Sequence, residues 1–229
     1  MRINKIIKFI IVLIVSFPKI IYVNFRCLSF REAIHLPVFV RYNTKIISLK
    51  RGKILIKSKI KPFIVRLGFG GTDVISAQKN ILRIKNGKLV LRSGGSLLMA
   101  EGFCLDINGG ILSIGGRVTA NRNCMISCSK DIYIGDNSMM GWNVHVRDSD
   151  GHTVYKDGNP KTSQKSVYIS EHVWLCSNCS ILKGSQIQRN SIVSWGTIVS
   201  KPFSEDGVLI GCSPCKVLDS GINWGPFSE

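Results

Sequence analysis

The residues best suited to chemistry lie together in Asp148-Ser149-Asp150-Gly151-His152, inside a polar stretch at residues 147–165 that is rich in Asp, Gly, Asn and Pro. An imidazole with a pKa near neutrality can take the proton of a hydroxyl while that hydroxyl attacks an acyl group. A neighbouring carboxylate fixes the tautomer and stabilises the imidazolium, and Asp148 and Asp150 are both close enough in sequence for that part. The same five residues also suit a surface loop with one histidine and two solvated aspartates, and spacing alone leaves both readings open. His145 should point outward beside an inward Val146, and His35 and His172 likewise read as structural.

Two Cys-x-x-Cys pairs, Cys176 with Cys179 and Cys212 with Cys215, are the other chemical signal. Such pairs bind zinc when closely spaced. Here the interval between them is longer than in a zinc ribbon, and Cys179 falls on an inward position of a repeat, so no metal is expected. No βαβ pattern surrounds either pair, which argues against a redox dithiol. A chain of 229 residues with eight cysteines is too long and core-rich for a stapled secreted scaffold, so reduced thiols in the cytoplasm are expected.

These residues need a framework, and residues 166–201 supply its rule. Ile169, Leu175, Ile181, Ile187, Val193 and Val199 recur at every sixth position, and two residues before each stand Val167, Val173, Cys179, Ser185, Ser191 and Thr197, all small or β-branched. Neither the 3.6-residue period of a helix nor the two-residue period of a simple strand produces that spacing. A hexapeptide repeat does, with short parallel strands stacked about a solid core. The register recurs at Ile134, Met140 and Val146, and at Ile114, Ala120 and Ile126 after a two-residue slip. The expected fold is therefore all-β, a parallel β-helix over residues 45–218, interrupted by the loop at 147–165 and followed by a tail at 219–229. Short apolar runs in residues 45–96 read as its irregular first coils.

Residues 1–44 form an apolar and basic extension. The apolar run at 9–15 follows Arg2, Lys5 and Lys8, but Pro18 and Lys19 interrupt it before a full membrane span is reached, and no small-x-small cleavage site follows. Two places for it stay open: an interfacial helix on the cytoplasmic leaflet, or a helix packed on this protein or a neighbouring subunit. A further short helix is expected at residues 30–35, before Pro37. The net charge of +17 points to an anionic partner, and the lack of an aromatic-rich basic motif or zinc-finger spacing excludes nucleic acid.

Ile134-Gly135-Asp136-Asn137, Asn143 to Val146, Gly151-His152, His172-Val173-Trp174-Leu175, Ile181-Leu182-Lys183-Gly184 and Ser213 to Val217 occur in an order that resembles the hexapeptide-repeat O-acetyltransferases. The chain looks like a left-handed β-helix acyltransferase, near the maltose, galactoside and polysaccharide enzymes. The resemblance is best over residues 110–218. It implies a homotrimer with acetyl-CoA in the groove between subunits, an oxyanion held by donors of the adjacent subunit, and His152 as the base. It also implies that Asn121 and Asn143 meet the acceptor, that Ser177, Trp195, Gly196, Ser200 and Lys216 line the coenzyme, and that Lys201 lies near its phosphates. Trp195 stands where the family has a small alanine, and Ser129, beside Lys130, replaces an acidic acceptor contact. An acidic or lipid-linked glycan at the inner face of the cytoplasmic membrane fits that basic site. An amino-sugar N-acyltransferase and a non-catalytic scaffold, with Trp195 filling the groove, are the alternatives.

Overall fold

A computed structural model describes residues 2–72 and 74–225, with the backbone alone at 2–6 and 8. Met1 of the expected extension and the last four residues of the expected tail lie outside the described residues. The hexad rule becomes three sheets of stacked parallel strands wound as a β-helix. The first sheet stacks Val38–Val40, Val65–Leu67, Leu97–Met99, Val118–Ala120, Met139–Met140, Trp174–Leu175, Ile192–Val193 and Val208–Gly211 in order. The second sheet runs from Lys45–Ile47 to Ile198–Val199 and the third from Ile54–Ile56 to Gln186–Ile187. Each coil visits the first, second and third sheets in turn, and parallel pairing therefore starts at Val38.

Register explains the core. Ile126, Val146, Ile181 and Val199 are Cα partners on successive strands, so one aliphatic column runs along the axis. All six hexad positions from Ile169 to Val199 are buried, and so are the six small residues two places before them. Polar members of the small set find partners inside: Ser185 Oγ donates to the Val199 carbonyl at 2.9 Å and Cys179 Sγ to the Ser194 carbonyl at 3.0 Å. Burial pushes the Cys179 thiol up to about 11, which makes it an inert core residue.

At the N-terminus, helix α1 (Arg2–Cys27) runs unbroken through Pro18 and Lys19, where the sequence suggested an interruption. Pro18 sits on the exposed side, and the Lys19 ammonium turns inward to the carbonyls of Tyr42 and Thr44. One stripe of α1, made of Ser16, Ile20, Val23, Asn24 and Cys27, is buried against the first coil. The Asn24 amide donates to the Val38 carbonyl at 2.6 Å and its oxygen accepts from Val38 N at 3.0 Å, so the side chain pairs with the first strand as a neighbouring strand would. A single turn, α2 (Phe30–Ala33), opens on a capping box between Ser29 and Glu32. At the other end, Lys216–Ser220 turns back antiparallel on Val208–Gly211.

Candidate active site

Two corners of the solenoid carry the residues singled out by chemistry. Residues 147–165 leave the second sheet after His145–Arg147 and rejoin the third at Val167–Ile169. They form a ribbon: Ser149 bridges Gln164, and Tyr155–Lys156 pairs antiparallel with Asn159–Pro160 around Asp157 and Gly158, both at positive φ. Asp-Gly suits that two-residue turn because both central positions are left-handed.

His152 lies near the root of this ribbon, exposed to solvent, just after Gly151 with φ +83°. Neither aspartate is placed on its ring. Asp148 is fully buried, and its two oxygens accept the backbone N–H groups of Ser129 and Lys130, each at 2.8 Å. The Asp150 carboxylate pairs with Lys183, whose ammonium also reaches the Thr162 carbonyl at 2.6 Å. The reason for Asp148 lies in the neighbouring coil, which turns its corner at Ser129 and Lys130, and turning frees amides that a carboxylate can accept. Asp148 thus ties the ribbon root to the preceding coil, and Asp150 ties both ribbon strands to the following one. Lys183, which the sequence did not mark for this part, supplies the second tie.

Asn121, Asn143, Ser177, Trp195 and Gly196 collect at the other corner, between the first and second sheets. Asn123, Asn143, Asn178 and Gly196 occupy its bend on successive coils, all with φ between 56° and 72°. Asparagine tolerates this left-handed conformation and glycine adopts it freely. Asn143 Nδ2 donates to Asn178 Oδ1 at 2.9 Å, so Asn143 belongs to a ladder of bend residues. The residues preceding the bends, Trp142, Ser177 and Trp195, stack large, small, large.

That alternation opens a cleft of ≈ 520 Å³ with Trp142, Trp174 and Trp195 as walls and Asn121, Gly141 and Ser177 among its lining. Ser177 is buried and its Oγ accepts from Trp142 N at 3.0 Å, while Trp142 Nε1 donates to Thr72 at 2.9 Å and holds one wall upright. Trp195 is 63% exposed and walls the cleft. Trp142 and Trp174 are cleft residues that the sequence reading left to packing or passed over. Aligning the bends, rather than the inward positions, would have revealed Trp142.

Ser200 and Lys201 are exposed on the His152 corner, where the chain leaves Ile198–Val199, and Lys201 Nζ lies 5.4 Å from the Phe203 ring centroid. Lys216 opens the antiparallel strand. One chain therefore splits its candidates: His152, Ser200 and Lys201 on one corner, and Asn121, Asn143, Ser177, Trp195 and Gly196 on another. His172, read as structural, hydrogen-bonds Asn190 at 3.0 Å and stacks on Trp224 at 4.3 Å.

The chain is 27% identical over 184 residues to a galactoside O-acetyltransferase of Lactococcus lactis, covering 80% of this chain and 87% of that protein. It is 34% identical over 107 residues to a polysialic acid O-acetyltransferase of Neisseria meningitidis, covering 46% of this chain and 50% of the relative. Among solved structures, the polysialic acid O-acetyltransferase OatWY superposes with a TM-score of 0.48 at 24% identity over 82% of this chain and 90% of that one. No family profile matches the sequence.

Proposed function

We propose that the chain, which is similar to galactoside and polysialic acid O-acetyltransferases, moves an acetyl group from acetyl-CoA to a hydroxyl of a surface polysaccharide or its lipid-linked precursor. The observation that carries this reading is the placement of His152: exposed, at the root of a ribbon pinned at both sides by Asp148 and Asp150. A general base must be accessible to its substrate and held in place by its surroundings. The carboxylates contribute by positioning the loop.

In the step, the His152 imidazole removes the acceptor hydroxyl proton as that oxygen attacks the thioester carbonyl carbon. The tetrahedral adduct then expels coenzyme A thiolate, which takes the proton back from the imidazolium. The cleft of ≈ 520 Å³ between Trp142 and Trp195 is largely apolar, as the coenzyme's pantetheine arm requires, with Ser177 and Asn121 offering polar contacts. Ser200, Lys201 and Lys216 are the exposed groups assigned to the coenzyme's polar end. Since His152 and this cleft occupy different corners, a working site needs the His152 corner of one subunit against the cleft of the next, which favours a homotrimer.

The test is acetyl-CoA turnover with glycan acceptors, measured as thiol release, in the parent chain and in His152→Ala. Turnover should fall by about 10²- to 10⁴-fold. Thermal stabilisation by acetyl-CoA should survive, amounting to about 2.7 kcal/mol at a hundred times its dissociation constant. Equal turnover in the two proteins would remove His152 from the mechanism.

A further inference from the structure

The side of α1 facing away from the solenoid is apolar. Ile10, Ile14, Phe17, Ile21 and Phe25 follow one another at helical spacing, about a third of a turn round from the buried stripe, and are between 39% and 65% exposed. No charge interrupts that stripe: Lys19 and Arg26 fall on another side of the helix, and the Lys19 ammonium is turned to the carbonyls of Tyr42 and Thr44. The stretch Phe9–Cys27 is long and apolar enough to cross a membrane, yet its inner stripe is spent on the first coil. Such a helix is placed to lie along a surface.

The charge of the chain is gathered at the same end. Residues 1–92 hold 20 of the 31 Lys and Arg but 2 of the 14 Asp and Glu, a net of +18, whereas residues 93–229 hold 11 and 12, a net of −1. Lys45, Lys50, Arg51, Lys57, Lys59 and Lys61, all in or just after the first coil, are exposed. Beside α1 opens an apolar cleft of ≈ 560 Å³ that includes Phe9, Phe63, Phe69 and Leu98, with exposed Arg66 on its lining.

We infer that α1 and the first two coils form a docking surface for an anionic lipid bilayer, with the helix lying in the interface. Apolar residues enter the acyl boundary while the surrounding lysines and arginines meet lipid phosphates. A second copy on the same face would bring two ends of net +18 together, which charge repulsion opposes. A nucleic acid would satisfy the lysines but leave the apolar stripe in water. The inference stands independently of acetyl transfer.

The experiment is vesicle co-sedimentation of the full chain, with phosphatidylcholine alone and with about 30% phosphatidylglycerol added. Binding should require the anionic lipid and fall steeply as salt rises from about 0.1 M to 1 M, where the screening length shrinks from ~10 Å to ~3 Å. Ile14→Asp with Phe17→Asp should weaken it by about tenfold or more, without loss of fold, since both residues face outward. An alkaline carbonate wash should release the bound protein. Resistance to that wash would overturn the interfacial placement in favour of a spanning helix. No vesicle binding, with an oligomer that dissociates in the double variant, would overturn it in favour of a contact between copies. Retained turnover on a soluble acceptor in the double variant separates this result from the fate of the acetyl-transfer reading.

Discussion

The first two coils and the last complete ones share a three-sheet plan and differ in almost everything built on it. From Val38 to Val65 and from Val65 to Leu97 the coils take 27 and 32 residues, with corners that wander, whereas Trp174 to Ile192 takes 18, three hexads. The early coils are strongly basic and carry α1 on their flank; the later ones are nearly neutral and carry the candidate chemistry. A solenoid tolerates this because each coil contacts chiefly its neighbours, so one end can diverge without disturbing the other. Binding and catalysis can thus be placed on separate lengths of one core.

That separation can be broken by experiment. The largest effect is expected from His152→Ala, about 10²- to 10⁴-fold in turnover with vesicle binding unchanged; a parallel loss of both would mean that the halves are coupled. Next comes Asp148→Ala, which leaves the Ser129 and Lys130 amides without their acceptor. It should cost about 2–4 kcal/mol in denaturant unfolding and also slow turnover by loosening the ribbon. Asn24→Ala strips the first strand of both its bonds to the helix. A loss of about 1–3 kcal/mol is expected, with turnover per folded molecule unchanged.

The smallest effect is a pH dependence shared by both halves. Burial raises the thiols of Cys27 and Cys124 to about 12 and that of Cys179 to about 11. In the unfolded chain they ionise from about pH 9. Above that pH the folded state holds protons that the unfolded state has lost, so the contribution is complete below about pH 9 and fades as pH climbs towards the folded values. Cys124→Ala should flatten the decline in melting temperature, and an unchanged slope would exclude this thiol as its source.

The hexads were legible because inward positions tolerate few residue types: every aliphatic residue assigned to the core in residues 166–201 is buried. The early coils were blurred because their corners vary in length, so no fixed period survives there. His152 could be marked from its neighbours, but the true partners of Asp148 and Asp150 could not. Those partners come from adjacent coils, and sequence proximity to a histidine says nothing about which free amide or ammonium a carboxylate will meet. Lys19 is a similar case: its charge interrupts the apolar run in the sequence, and in the fold it is absorbed by two carbonyls on the solenoid.

A stack of parallel strands has no intrinsic length. Each terminal strand offers a template on which another chain could grow, as in a fibril. This molecule stops growth differently at its two ends. Asn24 fills the bonding positions of Val38 with a side chain, and Lys216–Ser220 covers Val208–Gly211 with a strand running the wrong way for the pattern to continue. The first sheet is thereby given two closed ends, and loss of either stop would leave a strand edge open to pairing with another chain.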